Sequence, residues 1–350
     1  MKLSEAAVGD GAARGDGARR CGGSLMRYMT GAFVALAAIA AASAAACAER
    51  AYHAPRNAFG QPNLSGVWSN ATFTRLERPL YVPRVVLTPE EAAKGEARMR
   101  ADAPLPDGVD VGQGDSERAT FDTGDGYARV RGEIRSGMIV EPADGRLPFR
   151  PEVVKRLGLE GPANPLAHRD NPEERSVTER CMGGESALPP ALPSPDSNYV
   201  QIIQTRDNVA LYSEKYHELR VVRLNDRRHD YPAVTSWEGD EVGWWEGDTL
   251  VVETTNFSAA SLARYQRLRI SSGATVVERF TRTAAGELMY TFTVSDPELY
   301  TQTWRAELPF QASPVRILED ACHEGNYSLA GILAGARAEE RAAAQSSAGR

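Results

Sequence analysis

Trp244-Trp245-Glu246-Gly247-Asp248-Thr249-Leu250-Val251-Val252-Glu253-Thr254 has the sequence of one complete β-hairpin. Its middle, Glu246-Gly247-Asp248, predicts a tight turn, because glycine and aspartate accept the backbone angles that such turns need. After the turn, Leu250 to Phe257 is rich in β-forming residues, as in a hairpin strand that buries one face. The stretch therefore predicts two antiparallel strands.

The same pattern recurs on both sides of this hairpin. Further strands are predicted at Thr275–Arg282, Glu287–Val294, Leu299–Leu308 and Val315–Asp320, and, earlier in the chain, at Tyr199–Arg206, Val209–Glu214 and His217–Leu224. Eight or more consecutive strands must bury one face and dispose of their edges, and closure into a barrel achieves both. The sequence therefore predicts a mainly β protein whose antiparallel meander closes into a barrel.

A short motif at the start of this region points to the type of barrel. Gly66-Val67-Trp68 resembles the Gly-x-Trp with which lipocalin-like (calycin) barrels begin. In those barrels the tryptophan closes the floor against an arginine from a late strand. The resemblance implies a lipocalin-like barrel in which Trp68 packs against Arg305 or Arg316.

The barrel domain is predicted to span residues 63–327, after a linker at 49–62. A long irregular insertion is expected at about 75–198, between the first strand and the second. Within the insertion, Thr88-Pro89-Glu90-Glu91 predicts the start of a helix, because Thr88 and Glu91 can form a capping box.

The chain ends in a predicted amphipathic helix and tail at 328–350. The evidence is a set of apolar residues at helical spacing: Leu329, Ile332, Leu333 and Ala336.

Residues 1–48 have the features of a secretory signal peptide. Basic residues precede the apolar run Gly31–Ala46, which is too short to span a bilayer and ends in small residues. Cleavage at Ala46-Cys47-Ala48 would release a soluble protein, whereas a lipoprotein signal ending before Cys47 would leave a lipid-anchored one. The lipobox leucine is missing three positions before Cys47, so soluble export is the preferred interpretation. We therefore expect a periplasmic or secreted protein that contacts a membrane only through a lipid on Cys47.

The charge balance excludes one class of partner. The 350-residue chain carries a net charge of −7. Removing residues 1–48 takes away five basic and three acidic residues, which leaves a net charge of −9. An acidic chain without a basic run argues against nucleic acid as a partner.

Two of the four cysteines, Cys181 and Cys322, lie outside the export region. In an oxidising compartment two such cysteines usually pair, so we predict a disulfide between them. The rival interpretation is a catalytic thiol beside His323, which needs a reducing compartment or a protected cysteine.

Several motifs of the chain resemble those of an uncharacterised family of exported bacterial proteins. These motifs are Asn63–Trp68, Leu87–Ala92, Glu179–Cys181, Trp245–Phe257, Glu278–Arg282 and Ala321–Tyr327. They extend over most of the chain after residue 48. The resemblance implies an exported β-barrel protein, but it implies no particular activity or cofactor.

Four residues are candidates for acid–base chemistry. His217 begins a predicted strand, and it would lie near the barrel mouth if its face of the strand points inward. Arg220 on the same strand is a candidate for stabilising an anion, with Glu253 or His323 assisting. The competing interpretation of His217 is a hydrogen-bonded structural histidine at a strand end.

A metal site is a weaker hypothesis. The candidate ligands are His217, His229, His323 and Glu324, but they lack the close spacing, such as His-Glu-x-x-His, that marks zinc sites. We therefore predict neither a metal nor another cofactor.

The β-region contains many aromatic residues, most of which must be core. A minority could line a cavity, and our candidates for ligand contact are Trp68, Tyr212, Trp245, Tyr290 and Trp304. The first hypothesis is thus an exported β-barrel protein that binds a small apolar or aromatic molecule. One alternative is a cofactor-free lyase, isomerase or hydrolase that uses His217. Another is a structural envelope protein with a filled barrel.

Overall fold

The structure is a computed structural model. It describes residues 52–82, 84–101, 124, 126–159, 170–175, 180–182, 189–194, 198–229, 234–259 and 268–348. These residues belong to one compact unit, Tyr52–Arg350. The predicted signal segment at 1–48, including Cys47, lies outside them. None of the helices described is long and apolar enough to cross a membrane.

The described residues form thirteen strands and four helices. The strands are β1 (Gly66–Ser69), β2 (Val86–Leu87), β3 (Arg129–Val130), β4 (Glu133–Arg135), β5 (Ile139–Glu141), β6 (Tyr199–Gln204), β7 (Asn208–Ser213), β8 (Leu219–Arg223), β9 (Asp240–Glu246), β10 (Thr249–Thr255), β11 (Thr275–Ala284), β12 (Glu287–Ser295) and β13 (Trp304–Ser313). The helices are α1 (Pro89–Ala101), α2 (Pro151–Arg156), α3 (Cys322–Gly325) and α4 (Tyr327–Ala348).

Nine of the strands close into a barrel, as predicted. Their order is β1-β6-β7-β8-β9-β10-β11-β12-β13, and β1 pairs with both β6 and β13 to complete the ring. All neighbours are antiparallel except β8 and β9, which meet in a parallel contact between Arg223 and Val242.

The barrel interior is packed with aromatic and aliphatic side chains. Trp68, Phe280, Phe292, Trp304 and Phe310 are all at most 2% exposed. They occupy it because alternate residues of each strand point inward.

The arginine that packs on Trp68 is Arg282 of β11, not Arg305 or Arg316 as expected. Its guanidinium carbon lies 5.5 Å from the centre of the Trp68 ring. Arg282 shares the inward face of β11 with Phe280, whereas Arg305 points outward and pairs with Glu141. Arg316 lies beyond the end of β13 in no strand at all.

The described residues of the insertion between β1 and β6 include short regular elements. It contains a small sheet in the order β2-β4-β3, and β5 adds to the barrel beside β13. The capping box at the start of α1 is present, since the Thr88 amide donates to Glu91 over 2.7 Å and the Glu91 amide donates to Thr88 Oγ1 over 3.2 Å. Further along, Leu192 is fully buried in the barrel core.

Residues 315–320 do not form the predicted strand. They run as an irregular strap from the end of β13, and the amide of Leu318 donates to Glu214 over 3.0 Å. After the strap, Cys322 forms the predicted disulfide with Cys181. The C-terminal helix α4 follows, and of its predicted apolar stripe Leu329, Leu333 and Ala336 are half-buried while Ile332 is exposed.

Candidate functional site

The barrel interior contains a charged cluster near the beginnings of β8 and β9. Arg220 of β8 is 2% exposed, and its Nε donates to Oε1 of Glu241 over 3.0 Å. Its two terminal nitrogens donate to both oxygens of Glu278 on β11, which is fully buried. Burial of one guanidinium and two carboxylates costs several kcal/mol per ion, which their pairing only partly offsets.

Tyr290 extends the cluster towards the insertion. Its hydroxyl donates to Glu278 over 2.6 Å and accepts the backbone N–H of Ala191 over 2.9 Å. The cluster therefore joins four barrel strands, β8, β9, β11 and β12, and the inserted segment that contains Leu192.

Glu241 differs from Glu278 in having an oxygen to spare. Glu278 uses both oxygens, whereas Oε2 of Glu241 accepts no hydrogen bond from the residues that the structure describes. Burial raises the pKa of Glu241 to about 7. Arg220 opposes this rise, and the charges of Glu238 and Glu278 add to it. Glu241 thus changes its protonation state near neutral pH.

Tyr290 and Arg220 keep their usual protonation states. Burial and the charge of Glu278 raise the pKa of Tyr290 well above its ordinary value. Burial alone would lower the pKa of Arg220, but the charges of Glu278 and Glu241 outweigh it and raise the pKa.

Two buried hydroxyls lie beside this cluster without a partner among the described residues. Thr254, which faces Glu241 across the β9–β10 pair, is fully buried, and its Oγ1 makes no hydrogen bond. Ser213 is 1% exposed and its Oγ is likewise unpaired. Unpaired buried polar groups of this kind are costly and often mark places where a ligand or water binds.

A cavity of about 360 Å³ opens next to the cluster, and we call it the mouth cavity. It is formed where the turn before β8, the segment before β9 and the disulfide meet. Its walls are Cys181, Met182, Tyr216, His217, Glu218, Leu219, Ser236, Trp237 and Glu238. Glu218 connects the cavity to the cluster, because it lies just before β8, two residues from Arg220, and is only 7% exposed.

His217 does not lie inside the barrel. It sits in the turn before β8, its side chain is on the outside, and Leu219 and Val221, which share its face, are 51% and 46% exposed. The inward face of β8 is instead the one that carries Arg220. His217 thus faces outward from the barrel, where it forms part of the wall of the mouth cavity.

The ring of His217 is also engaged. Its Nε2 accepts the backbone N–H of Asp320 over 3.0 Å, while the Asp320 carboxylate accepts the N–H of Tyr216 over 2.8 Å. The lone pair that would act as a base is thus already used to hold the strap against the turn.

Glu253 and His229 lie together on the outer face of β10 and not at the cluster. His229 Nδ1 is 2.9 Å from Asp240 and its Nε2 is 3.2 Å from Glu253. His323 and Glu324 are exposed on α3. The structure therefore does not bring the four candidate metal ligands together, and no three His, Cys, Asp or Glu side chains of the described residues are arranged to hold a metal.

The five aromatic residues predicted to contact a ligand lie in different places. Trp68 and Trp304 are core, Trp245 packs half-buried against the core, and Tyr290 belongs to the charged cluster. Tyr212 points outward into an open groove of about 540 Å³ beneath the strap. None of them lines the mouth cavity, whose aromatic walls are Tyr216 and Trp237.

Sequence reasoning missed Glu241, Trp237 and Glu238 as site residues. Trp237 and Glu238 precede a strand in a segment without periodicity, so no pattern assigns them a face. Glu241 carries one usable signal, since it is a carboxylate within a β-forming run, as Glu278 is.

The comparisons with known proteins give no family for this chain. No family model matches it, and no curated protein matches it. Among solved structures, a mutant of the fluorescent protein UnaG is similar to part of this chain. The match covers 39% of this chain and 86% of the UnaG chain, with 11% sequence identity and a TM-score of 0.23.

Proposed function

We propose that the protein is an exported β-barrel protein that binds a small, largely apolar or aromatic molecule at the mouth cavity. The observation that carries the proposal is a cavity of about 360 Å³ with aromatic walls, whose lining residue Glu218 precedes the buried Arg220 of the charged cluster by two residues. Ligand sites are mostly apolar pockets of roughly 300–1,000 Å³ with a few polar groups that fix orientation. The mouth cavity matches that description in size and in having aromatic walls beside a few polar groups.

The charged groups of the cluster support the proposal, because burying them lowers the stability of the fold and the barrel does not need them to close. An apolar barrel interior would avoid the desolvation of Arg220, Glu241 and Glu278. Within the described part of the chain, Oε2 of Glu241 and Oγ1 of Thr254 have no hydrogen-bond partner, and the two residues face each other across neighbouring strands, where a polar group of a ligand would satisfy both.

These features fit small-molecule binding better than a purely structural role in the envelope. The core around Trp68 is filled, which suits that alternative, but the mouth cavity and its unpaired hydroxyls are not needed to hold a sheet together. Export is part of the proposal because of residues 1–48, and the disulfide between Cys181 and Cys322 suits an oxidising compartment.

Native mass spectrometry of protein purified from its own exported fraction tests the proposal. We expect a non-covalent adduct of small-molecule mass that is lost on denaturation. The variant Trp237→Leu, which changes a wall of the mouth cavity, should retain the fold by circular dichroism and lose the adduct. Trp244→Leu is the matched control, because Trp244 stacks against Arg227 on the outer face of the barrel. Equal native and denatured masses would remove the proposal.

A further inference from the structure

The barrel wall has its sparsest backbone pairing where β8 and β9 meet, and we call this line, Leu219–Arg223 beside Asp240–Glu246, the seam. In the described part of the chain a single backbone pair, Arg223 with Val242, joins the two strands. By contrast, every residue of β8 pairs with β7 and every residue of β9 pairs with β10. The seam therefore lacks most of the backbone ladder that holds the rest of the wall.

Side chains close the seam in place of the backbone, with one ion pair on each face of the wall. On the inner face, Nε of Arg220 donates to Oε1 of Glu241 over 3.0 Å. On the outer face, Arg223 donates to Asp240 over 2.9 Å. Both pairs join β8 to β9, so contact between the two strands depends on ionised groups.

A glycine also permits the close approach of the two strands. A Cβ atom on Gly243 of β9 would lie 2.5 Å from Cγ1 of Val222 on β8, closer than two side chains can pack. Any larger residue at position 243 would therefore press β8 away from β9.

The mouth cavity lies at the beginning of the seam. One of its walls, with Glu218 and Leu219, is the start of β8, and another, with Trp237 and Glu238, leads into β9. Separation of the two strands would therefore extend the cavity into the barrel interior.

We propose that the seam is a gate in the barrel wall, which opens by separation of β8 from β9 and joins the mouth cavity to the barrel interior. The gate is a property of the wall and goes beyond the proposed function, because it operates with or without a ligand. Opening at the seam breaks one backbone pair and two ion pairs, whereas opening between any other two strands breaks a longer ladder.

Glu241 gives the gate a pH dependence of a definite sign. In the closed seam, burial raises the pKa of Glu241 to about 7, whereas water in an open seam would return its pKa towards the ordinary value of 4.5. Protonation therefore favours the closed state, and opening increases as the pH rises through about 7. The other titratable or charged groups around Glu241 are Arg220, Glu278 and Tyr290 in the cluster, Glu218 and Glu238 at the cavity, and Arg223, Asp240, His229 and Glu253 on the outer face.

Alkylation of an engineered thiol by iodoacetamide tests the proposal in the mature protein with its disulfide intact. Thr254→Cys places the thiol beneath the seam, because Thr254 is fully buried and faces Glu241. The rate is measured by mass spectrometry and divided by that of glutathione at the same pH. We expect this relative rate to rise about tenfold from pH 6 to pH 8, as a shift of the pKa between 7 and 4.5 requires. In the control Val294→Cys, which is equally buried but lies on β12 away from the seam, the thiol should react far more slowly at both pH values.

Variants made in the Thr254→Cys protein locate the effect. Glu241→Gln should abolish the rise with pH, and Glu246→Gln on the outside of the barrel should retain it. Gly243→Ala should speed alkylation at least about tenfold at both pH values. Gly286→Ala is its matched control, because a Cβ atom there meets nothing within 4 Å.

Three results would each overturn the gate: equal reaction of the thiols at 254 and 294, a relative rate that does not rise with pH, or the same rise in Glu241→Gln. Circular dichroism shows whether Gly243→Ala is folded. A folded Gly243→Ala without faster alkylation also overturns the gate, and if this variant does not fold, the pH comparison decides. None of these results depends on a bound molecule, so failure of the gate leaves the proposed function standing.

Discussion

Arg220 is the residue on which the interior cluster depends, because it is the shared partner of Glu241 and Glu278. We expect Arg220→Met to destabilise the protein by about 3–5 kcal/mol, since it leaves two buried carboxylates without their counter-charge. Urea denaturation followed by tryptophan fluorescence measures the change. The control is Arg279→Met on the outer face of β11, where the pair with half-exposed Glu246 should be worth less than about 1 kcal/mol. Similar losses in both variants would mean that the cluster is not specially stabilising.

Glu241 gives stability a pH dependence of a definite sign. Burial raises its pKa from 4.5 to about 7, so between these values the folded protein holds a proton that the unfolded chain releases. Stability should therefore fall as pH rises from about 5 to 8, by on the order of 3 kcal/mol from this group.

The variant Glu241→Gln does not titrate, so its stability should change much less across that range of pH. The comparison uses urea midpoints at a series of pH values. In the control Glu246→Gln, the change of stability with pH should be the same as in the parent protein. The hydrogen bonds that Glu246 accepts from Trp244 and Arg279 lower its pKa, so Glu246 does not titrate in this range of pH. A slope in Glu241→Gln as steep as in the parent protein would show that another group is responsible.

The sequence offered candidates on both faces of the strand predicted at 217–224, and of these Arg220 lies on the inward face. Both His217 and Arg220 were candidates, and they lie on opposite faces of the predicted strand. Tyr216 and His217 have positive φ angles, 56° and 53°, and form a turn instead of the strand end. Alternation along a strand cannot show which face is inward, because only the closed barrel defines an inside.

At the level of elements, the strands were predicted well where a clear turn sequence separates one strand from the next. The hairpins around Gly247 and Gly286 were found within a few residues of their predicted bounds. The segment 315–320 has the composition of a strand, yet it is held by Glu214 and His217 through side-chain contacts. Local propensity does not include the neighbours that a strand needs, which is why the strap was mistaken for one.

The disulfide is the covalent link between the insertion and the C-terminal helices, and it spans a sequence separation of 141 residues. In the chain-entropy model a loop of this length contributes roughly 5 kcal/mol at most. We expect the double variant Cys181→Ser, Cys322→Ser to lose a few kcal/mol in urea denaturation. Dithiothreitol should destabilise the parent protein and leave the double variant unchanged. A parent protein that is indifferent to reduction would show that the bridge adds little.

For the whole molecule, the disulfide and residues 1–48 lead to one prediction about where the protein resides. A disulfide of this kind persists in the periplasm or outside the cell and is reduced in the cytosol. We therefore expect the protein in the periplasmic or secreted fraction, with its chain beginning after residue 48. Its denatured mass should be two hydrogens below that of the reduced form, because Cys181 and Cys322 are joined.

The mass of the exported protein also shows whether it is released as a soluble protein or anchored by a lipid. Soluble export gives the unmodified mass, and Cys47→Ser leaves the location of the protein unchanged. A lipid-anchored protein would begin at Cys47, carry the mass of acyl chains, incorporate labelled fatty acid and lose its anchor in Cys47→Ser. An uncleaved chain in the cytoplasm with free thiols at Cys181 and Cys322 would contradict export in either form.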